Sequence, residues 1–129
     1  MTTTMWMVRH ERLPGRRVLE GLRHSEAVAE REGSMKRVYI CSPYAGDVAG
    51  NTERAQWLCR EAIKDGCAPY APHLLYPQII DDRQAGITCG LAYLDLCDEL
   101  WVYANDGISS GMRQEIDHAQ HLGIPVVIL

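Results

Sequence analysis

The chain has 129 residues, is 47% hydrophobic and carries a formal charge of −4, enough for one domain with its own core and too short for two. Its acidic balance excludes a nucleic-acid backbone or an anionic membrane as the main partner, since both demand clustered Lys and Arg; a small soluble ligand is expected instead. No apolar run approaches the roughly 18 residues of a membrane span and the N-terminus lacks the apolar stretch of a secretory signal, so a cytoplasmic location is expected.

Cysteines occur at positions 41, 59, 67, 89 and 97, an odd number with no C-x-x-C pair. They read as reduced thiols in apolar segments rather than as a disulfide framework or a zinc cage. Composition changes at Met35. Residues 1–34 hold six Arg and five Glu, and residues 13–32 have the spacing of a charged amphipathic helix punctuated by Pro14-Gly15 and Gly33-Ser34. This stretch is expected to be an N-terminal extension, helical or disordered, ahead of a domain over residues 35–129; Met35 is itself a sensible natural start.

From Arg37 strands and helices alternate. "RVYICS" (37–42) reads as a strand, and residues 51–66 as a helix capped by Asn51 and closed by Gly66. "CAPYAP" (67–72) reads as a second strand, followed by a loop through "HLLYPQIIDD". Residues 83–97 read as a helix with Ile87, Leu91, Leu94 and Cys97 on one side, weakened by Gly86 and Gly90. A strand over 98–104, a helix over 110–122 ending at Gly123 and a strand over 124–129 complete the pattern. Such alternation predicts a parallel sheet with helices on both faces. Right-handed crossovers place the loops after Ser42, Pro72 and Ala104 on one edge, where open α/β sheets bind ligands.

In the last helix Met112, Ile116, Ala119 and Gly123 fall on one arc at about 100° per residue, and Glu115 lies roughly 40 to 60° from its centre. An inward-leaning carboxylate must be paired, hydrogen-bonded or placed at a cavity. Two readings stand: an acid in the first helical turn that complements the dipole, or a nucleophile or base facing the ligand edge. Ser109, Ser110 and Gly111 before it are either a helix cap or an anion cradle. The first loop, "CSPYAGD", has no G-x-G-x-x-G, which disfavours a dinucleotide. His118 and His121, with Glu115, imitate metal-ligand spacing, but His121 falls on the polar side and no second cluster completes a site, so neither a metal nor a cofactor is expected. Asp81 and Asp82 before Arg83 read first as acids at a helix N-terminus. Tyr44, Tyr70, His73 and Tyr76 gather at loop ends, either to stack a planar base or to close the sheet edge.

"VYICSPYAG", and the long run from "GLAYLDLCDELWV" to the end, resemble the nucleoside 2-deoxyribosyltransferase-like superfamily, which includes nucleotide N-glycosidases. "PHLLYPQ", "CDELWV" and "SxGMxxEI" resemble more closely the DUF4406-type phage and bacterial domains. The resemblance covers residues 36–129 and none of 1–34. It implies a flavodoxin-like, Rossmann-like three-layer α/β sandwich with a mainly parallel sheet of four to five strands. It also implies attack by a glutamate on the anomeric carbon of a (deoxy)ribonucleoside or its 5′-monophosphate, followed by transfer to water or another base. By that resemblance Glu115, four residues after Gly111, is the nucleophile. Ser109 and the adjacent Ser110 meet a phosphate, and Ser42, Pro43 and Tyr44 line the sugar and base, with His73 and Asp82 joining the expected substrate-binding set. Homo-oligomers are implied as well. One departure stands out: the enzymes carry an aspartate eight residues before the acid that opens the "DELWV" strand, and here that position is Gly90. The alternative is therefore a nucleotide- or ADP-ribose-binding module that uses the same pocket without turnover.

Overall fold

The structure, a computed structural model, describes residues 6–8 and 35–129. Five parallel strands form one sheet: β1 (Trp6–Val8), β2 (Lys36–Cys41), β3 (Cys67–Tyr70), β4 (Glu99–Val102) and β5 (Val126–Ile128), in the spatial order β1-β5-β4-β2-β3. Three helices connect them: α1 (Val48–Lys64), α2 (Arg83–Leu94) and α3 (Ser110–Leu122). The helix expected over residues 13–32 lies outside the described residues.

Adjacent residues of β2 point to opposite faces, and both faces are buried, as a parallel sheet between helices requires. Val38 and Ile40 pack with Leu58 and Ala62 of α1, together with Trp101 and Val127. Tyr39 and Cys41 face the other way, into a cluster with Leu94 of α2 and with Met112, Ile116 and Ala119 of α3. The result is the three-layer α/β sandwich. The strand order reverses around the first strand of the regular pattern: β2 lies between β3 on one side and β4 on the other. A crevice at the carboxyl ends of these strands is the expected ligand position of such a sheet.

Two local expectations are corrected. Helix α1 begins at Val48 rather than at Asn51 because Asp47, not Asn51, is the cap: its carboxylate accepts a hydrogen bond from the Gly50 amide at 3.1 Å. Asn51, already inside the helix, turns its Nδ2 back onto the carbonyl oxygens of Tyr44 and Ala45 at 3.0 and 3.1 Å and so pins the β2–α1 loop. The segment after β3 is not irregular throughout. Pro72–Leu74 and Tyr76–Gln78 each form one turn of 3₁₀ helix, each with proline in its first turn, where a missing amide costs no hydrogen bond.

Helix α2 starts after Asp82, whose carboxylate accepts from the Ala85 amide at 3.1 Å, the role expected of an acid at that place. Helix α3 ends at Gly123, which takes φ 75° and so closes the helix in the left-handed conformation glycine tolerates. All five cysteines are free thiols, with Cys41, Cys67 and Cys97 buried and Cys89 exposed. Among the described residues no helix is long and apolar enough to cross a membrane.

Candidate active site

The loops after β2 and β3 and the N-terminal ends of α2 and α3 line a cavity of about 290 Å³. Six of the residues expected from the sequence line it: Ser42, Tyr44, His73, Asp82, Ser109 and Gly111. Glu115 lies in its wall with them. Pro43 and Ser110 are not part of the wall, and Ser110 is exposed.

Glu115 is 4% exposed, and what holds it differs from the expected dipole contact. Because α3 begins at Ser110, Glu115 falls in the second turn and the first turn contains no acid; the unpaired amides lie too far toward the N-terminus to serve it. Its partner comes from the sheet instead. The Tyr39 hydroxyl donates to Glu115 Oε2 at 2.6 Å, with both side chains buried. The Cys41 thiol lies beside the same carboxylate and 3.8 Å from the Met112 carbonyl oxygen. Burial outweighs these donors and the nearby Arg83 charge, so the Glu115 carboxyl is pushed up to about 7. Burial and the neighbouring carboxylate raise the Tyr39 phenol, which therefore stays protonated and remains the donor.

His73 contacts Ser42 through Nε2 and Oγ at 3.1 Å, and its ring lies 5.9 Å from that of Tyr44 at 41°. Burial holds its pKa below the usual histidine value, so the imidazole is neutral at pH 7. Tyr44, His73 and Tyr76 thus contribute aromatic rings to the cavity lining. Ser109 Oγ accepts from the Met112 amide at 3.2 Å, so the serine caps α3 while it also lines the cavity. His118, one of the residues with metal-like spacing, instead meets Asp95 at 2.6 Å on the outer surface. No cluster of three or more metal-ligating side chains occurs among the described residues.

Two residues that shape the site, Tyr39 and Arg83, were not expected from the sequence, and a third, Gly90, was expected only as a missing acid. Tyr39 stood inside an apolar strand and read as core; the usable signal was its hydroxyl, which a buried tyrosine has to satisfy. Arg83 read only as the residue after a helix cap, yet its side chain reaches the cavity. Gly90 was singled out as a missing acid, and the structure gives it a positive reason. A Cβ built there would stand 2.6 Å from the Tyr39 hydroxyl and 3.5 Å from Pro72 Cβ. The place that a side chain at position 90 would take is occupied by the phenol that holds Glu115.

The profile of a family described as Domain of unknown function (DUF7768) matches residues 36–129. This chain belongs to the DUF7768 family. The match differs from the DUF4406 type that the motifs resemble. The DUF7768 domain is similar to two solved structures, both at identities that speak for the fold alone. One is described as a 2-deoxyribosyltransferase from Bacillus psychrosaccharolyticus, 15% identical, with 71% of this chain and 70% of that one covered and a TM-score of 0.58. The other is a conserved protein from Enterococcus faecalis V583, 19% identical, with 74% and 63% covered and a TM-score of 0.61. No curated protein matches the chain. The flavodoxin-like deoxyribosyltransferase fold expected for residues 36–129 is therefore the fold observed.

Two measurements check this DUF7768 site. Gly90→Ala adds about 1 kcal/mol of helix propensity but forces a methyl against a buried phenol, at a cost of about 1 to 3 kcal/mol. Urea unfolding is expected to show a net loss; a net gain contradicts the close packing at Gly90. Glu115→Gln tests the displaced carboxyl. Its folded value of about 7 exceeds the ordinary 4.5, so ionised Glu115 destabilises the fold as pH rises from 4.5 to 7. Above that range the penalty is constant, on the order of 3 kcal/mol. The glutamine variant is expected to melt above the wild type at pH 8, with the gap closing toward pH 5. A gap independent of pH contradicts the assignment.

Proposed function

We propose that the cavity binds a (deoxy)ribonucleoside or its 5′-monophosphate and cleaves or transfers its N-glycosidic bond, with Glu115 as nucleophile. The observation that carries this reading is a buried carboxyl at a ligand-sized cavity, positioned by a phenol and held near neutrality. A fold that spends stability to keep an acid there matches the pattern of catalytic groups. The fold shared with a described 2-deoxyribosyltransferase supports the same reaction class, and "CDELWV" and "SxGMxxEI" support kinship with DUF4406-type domains.

In this reaction one Glu115 oxygen bonds to C1′ as the C1′–N bond breaks, and the bonding pair leaves with the base nitrogen, which takes its proton from solvent water. Water or a second base then attacks C1′ and the carboxylate departs. Tyr39 donates to one carboxylate oxygen, which orients the other. The aromatic rings of Tyr44, His73 and Tyr76 suit a planar base. The Glu115 nucleophile must be ionised, so kcat/KM is expected to rise with pH and level off above about 7.

The chromatographic test incubates nucleosides and 5′-monophosphates with wild type and Glu115→Gln. Free base from the wild type alone supports an enzyme. A second reading, a nucleotide- or ADP-ribose-binding module, is favoured by Gly90, which supplies no acid for the leaving base. Ligand-induced thermal stabilisation without base release selects it and removes the enzyme reading.

Residues 1–34 are proposed as an N-terminal extension ahead of the family-matched region, from which Trp6–Val8 contribute the edge strand that pairs with β5. Self-association is supported by Tyr93 and Leu96, 52% and 59% exposed at the end of α2 and just beyond it. Light scattering is expected to give a multiple of 14.5 kDa; a monomer at micromolar concentration contradicts it.

A further inference from the structure

Arg83 is the strongest group in the cavity that the reaction above leaves without a task. Among the described residues it is the one Lys or Arg in the wall, where Asp81, Asp82 and Glu115 supply three carboxyls. Its guanidinium makes no hydrogen bond or ion pair within 4.0 Å of any of the described residues. Asp82, the adjacent acid, spends a carboxylate oxygen on the Ala85 amide. Nη2 of Arg83 lies 3.6 Å from the point where a Cβ on Gly111 would stand. The guanidinium therefore lies along the first turn of α3 at the cavity wall, in ordinary contact range of position 111. Its charge acts on Glu115 and His73, lowering the pKa of each.

A guanidinium without a partner at a ligand cavity presents a planar fork matched to phosphate oxygens, which accept from it in pairs. We propose that Arg83 is the specificity-determining residue of this pocket and takes the 5′-phosphate of a nucleoside 5′-monophosphate, in preference to free nucleosides and to 5′-di- or triphosphates. The proposal rests on the nucleoside reading of the same cavity. Preference for one phosphate follows from the charge inventory and from size. A single guanidinium offsets only part of the charge of one phosphate group, about −1.5 to −2 at pH 7, and each further phosphate adds negative charge against Asp81, Asp82 and Glu115. The volume, about 290 Å³, sits at the small end of ligand sites, roughly 300 to 1,000 Å³. Arg83 then grips the phosphate beside Ser109, the aromatic rings hold the base, and the sugar spans the distance between them in front of Glu115.

The test is calorimetric binding to Glu115→Gln protein, which holds ligand without turnover. The probes are a 2′-deoxynucleoside, its 5′-monophosphate, its 5′-triphosphate and inorganic phosphate. The monophosphate is expected to bind at least about 10-fold tighter than the nucleoside, the worth of one charge-assisted contact, and tighter than the triphosphate. Adding Arg83→Gln is expected to weaken the monophosphate by about 10- to 100-fold while the nucleoside changes little; Arg83→Lys, which keeps the charge and loses the fork, falls between. Equal affinity for nucleoside and monophosphate, tighter binding of the triphosphate, or equal loss for all probes on Arg83→Gln overturns the role of Arg83 and leaves the nucleoside reading standing. Binding of phosphate alone, or of none of the probes, overturns both. Arg83 is exposed, so the variants are expected to fold, and the ranking of probes on Arg83-containing protein decides the preference without them.

Discussion

A phenol at the centre of the sheet donates a 2.6 Å hydrogen bond to a carboxylate on α3, and most of the site is arranged around that contact. Tyr39 lies on β2, whose register with β3 and β4 fixes where the hydroxyl ends. Glu115 lies on α3, where Met112, Ile116 and Ala119 hold the same helix face against the sheet. Neither group tolerates burial alone, since a lone ionised carboxylate in an apolar interior is prohibitively costly. Position 90 has to be glycine for the phenol to reach its place. Sheet register, helix packing and one missing side chain thus converge on a single pair of oxygen atoms.

That pair sets a stability cost against a chemical gain. Burial lifts the Glu115 carboxyl to about 7, so at neutral pH the group lies between its two protonation states, as the proposed nucleophile requires. A core built only for stability would fill the position with an aliphatic side chain. The acid instead faces a cavity lined by aromatic rings, a serine, a glycine and a guanidinium. His73 follows the same logic with opposite sign: burial disfavours its charged form and keeps it neutral.

Most of the architecture was legible because it follows from periodicity. The β-branched runs, the amphipathic arc of α3 and the glycine at 123 predicted strands, helix and stop, and the crossover rule put the loops after β2, β3 and β4 on one edge. The cap of α1 was misplaced because Asp47 and Asn51 are both good caps, and only the three-dimensional path of the 44–47 loop chooses between them. Glu115 was legible as an inward acid, but its partner was not. Tyr39 is 76 residues away in sequence, and no local rule links a strand tyrosine to a distant helix. Arg83 was hidden for a related reason: a residue following two aspartates reads as part of a helix start, and its reach to Gly111 depends on how α2 and α3 meet.

The most direct test of a nucleophilic Glu115 is to trap the glycosyl-enzyme. A 2′-fluoro-arabino nucleoside and its 5′-monophosphate slow the hydrolysis of such an intermediate by disfavouring charge at C1′. After acid quench and peptide mass mapping, one fluoropentose or fluoropentose-phosphate unit on Glu115 is the predicted result. Base release with Glu115 unmodified and the adduct on another residue, or a bound ligand with no adduct anywhere, would contradict it.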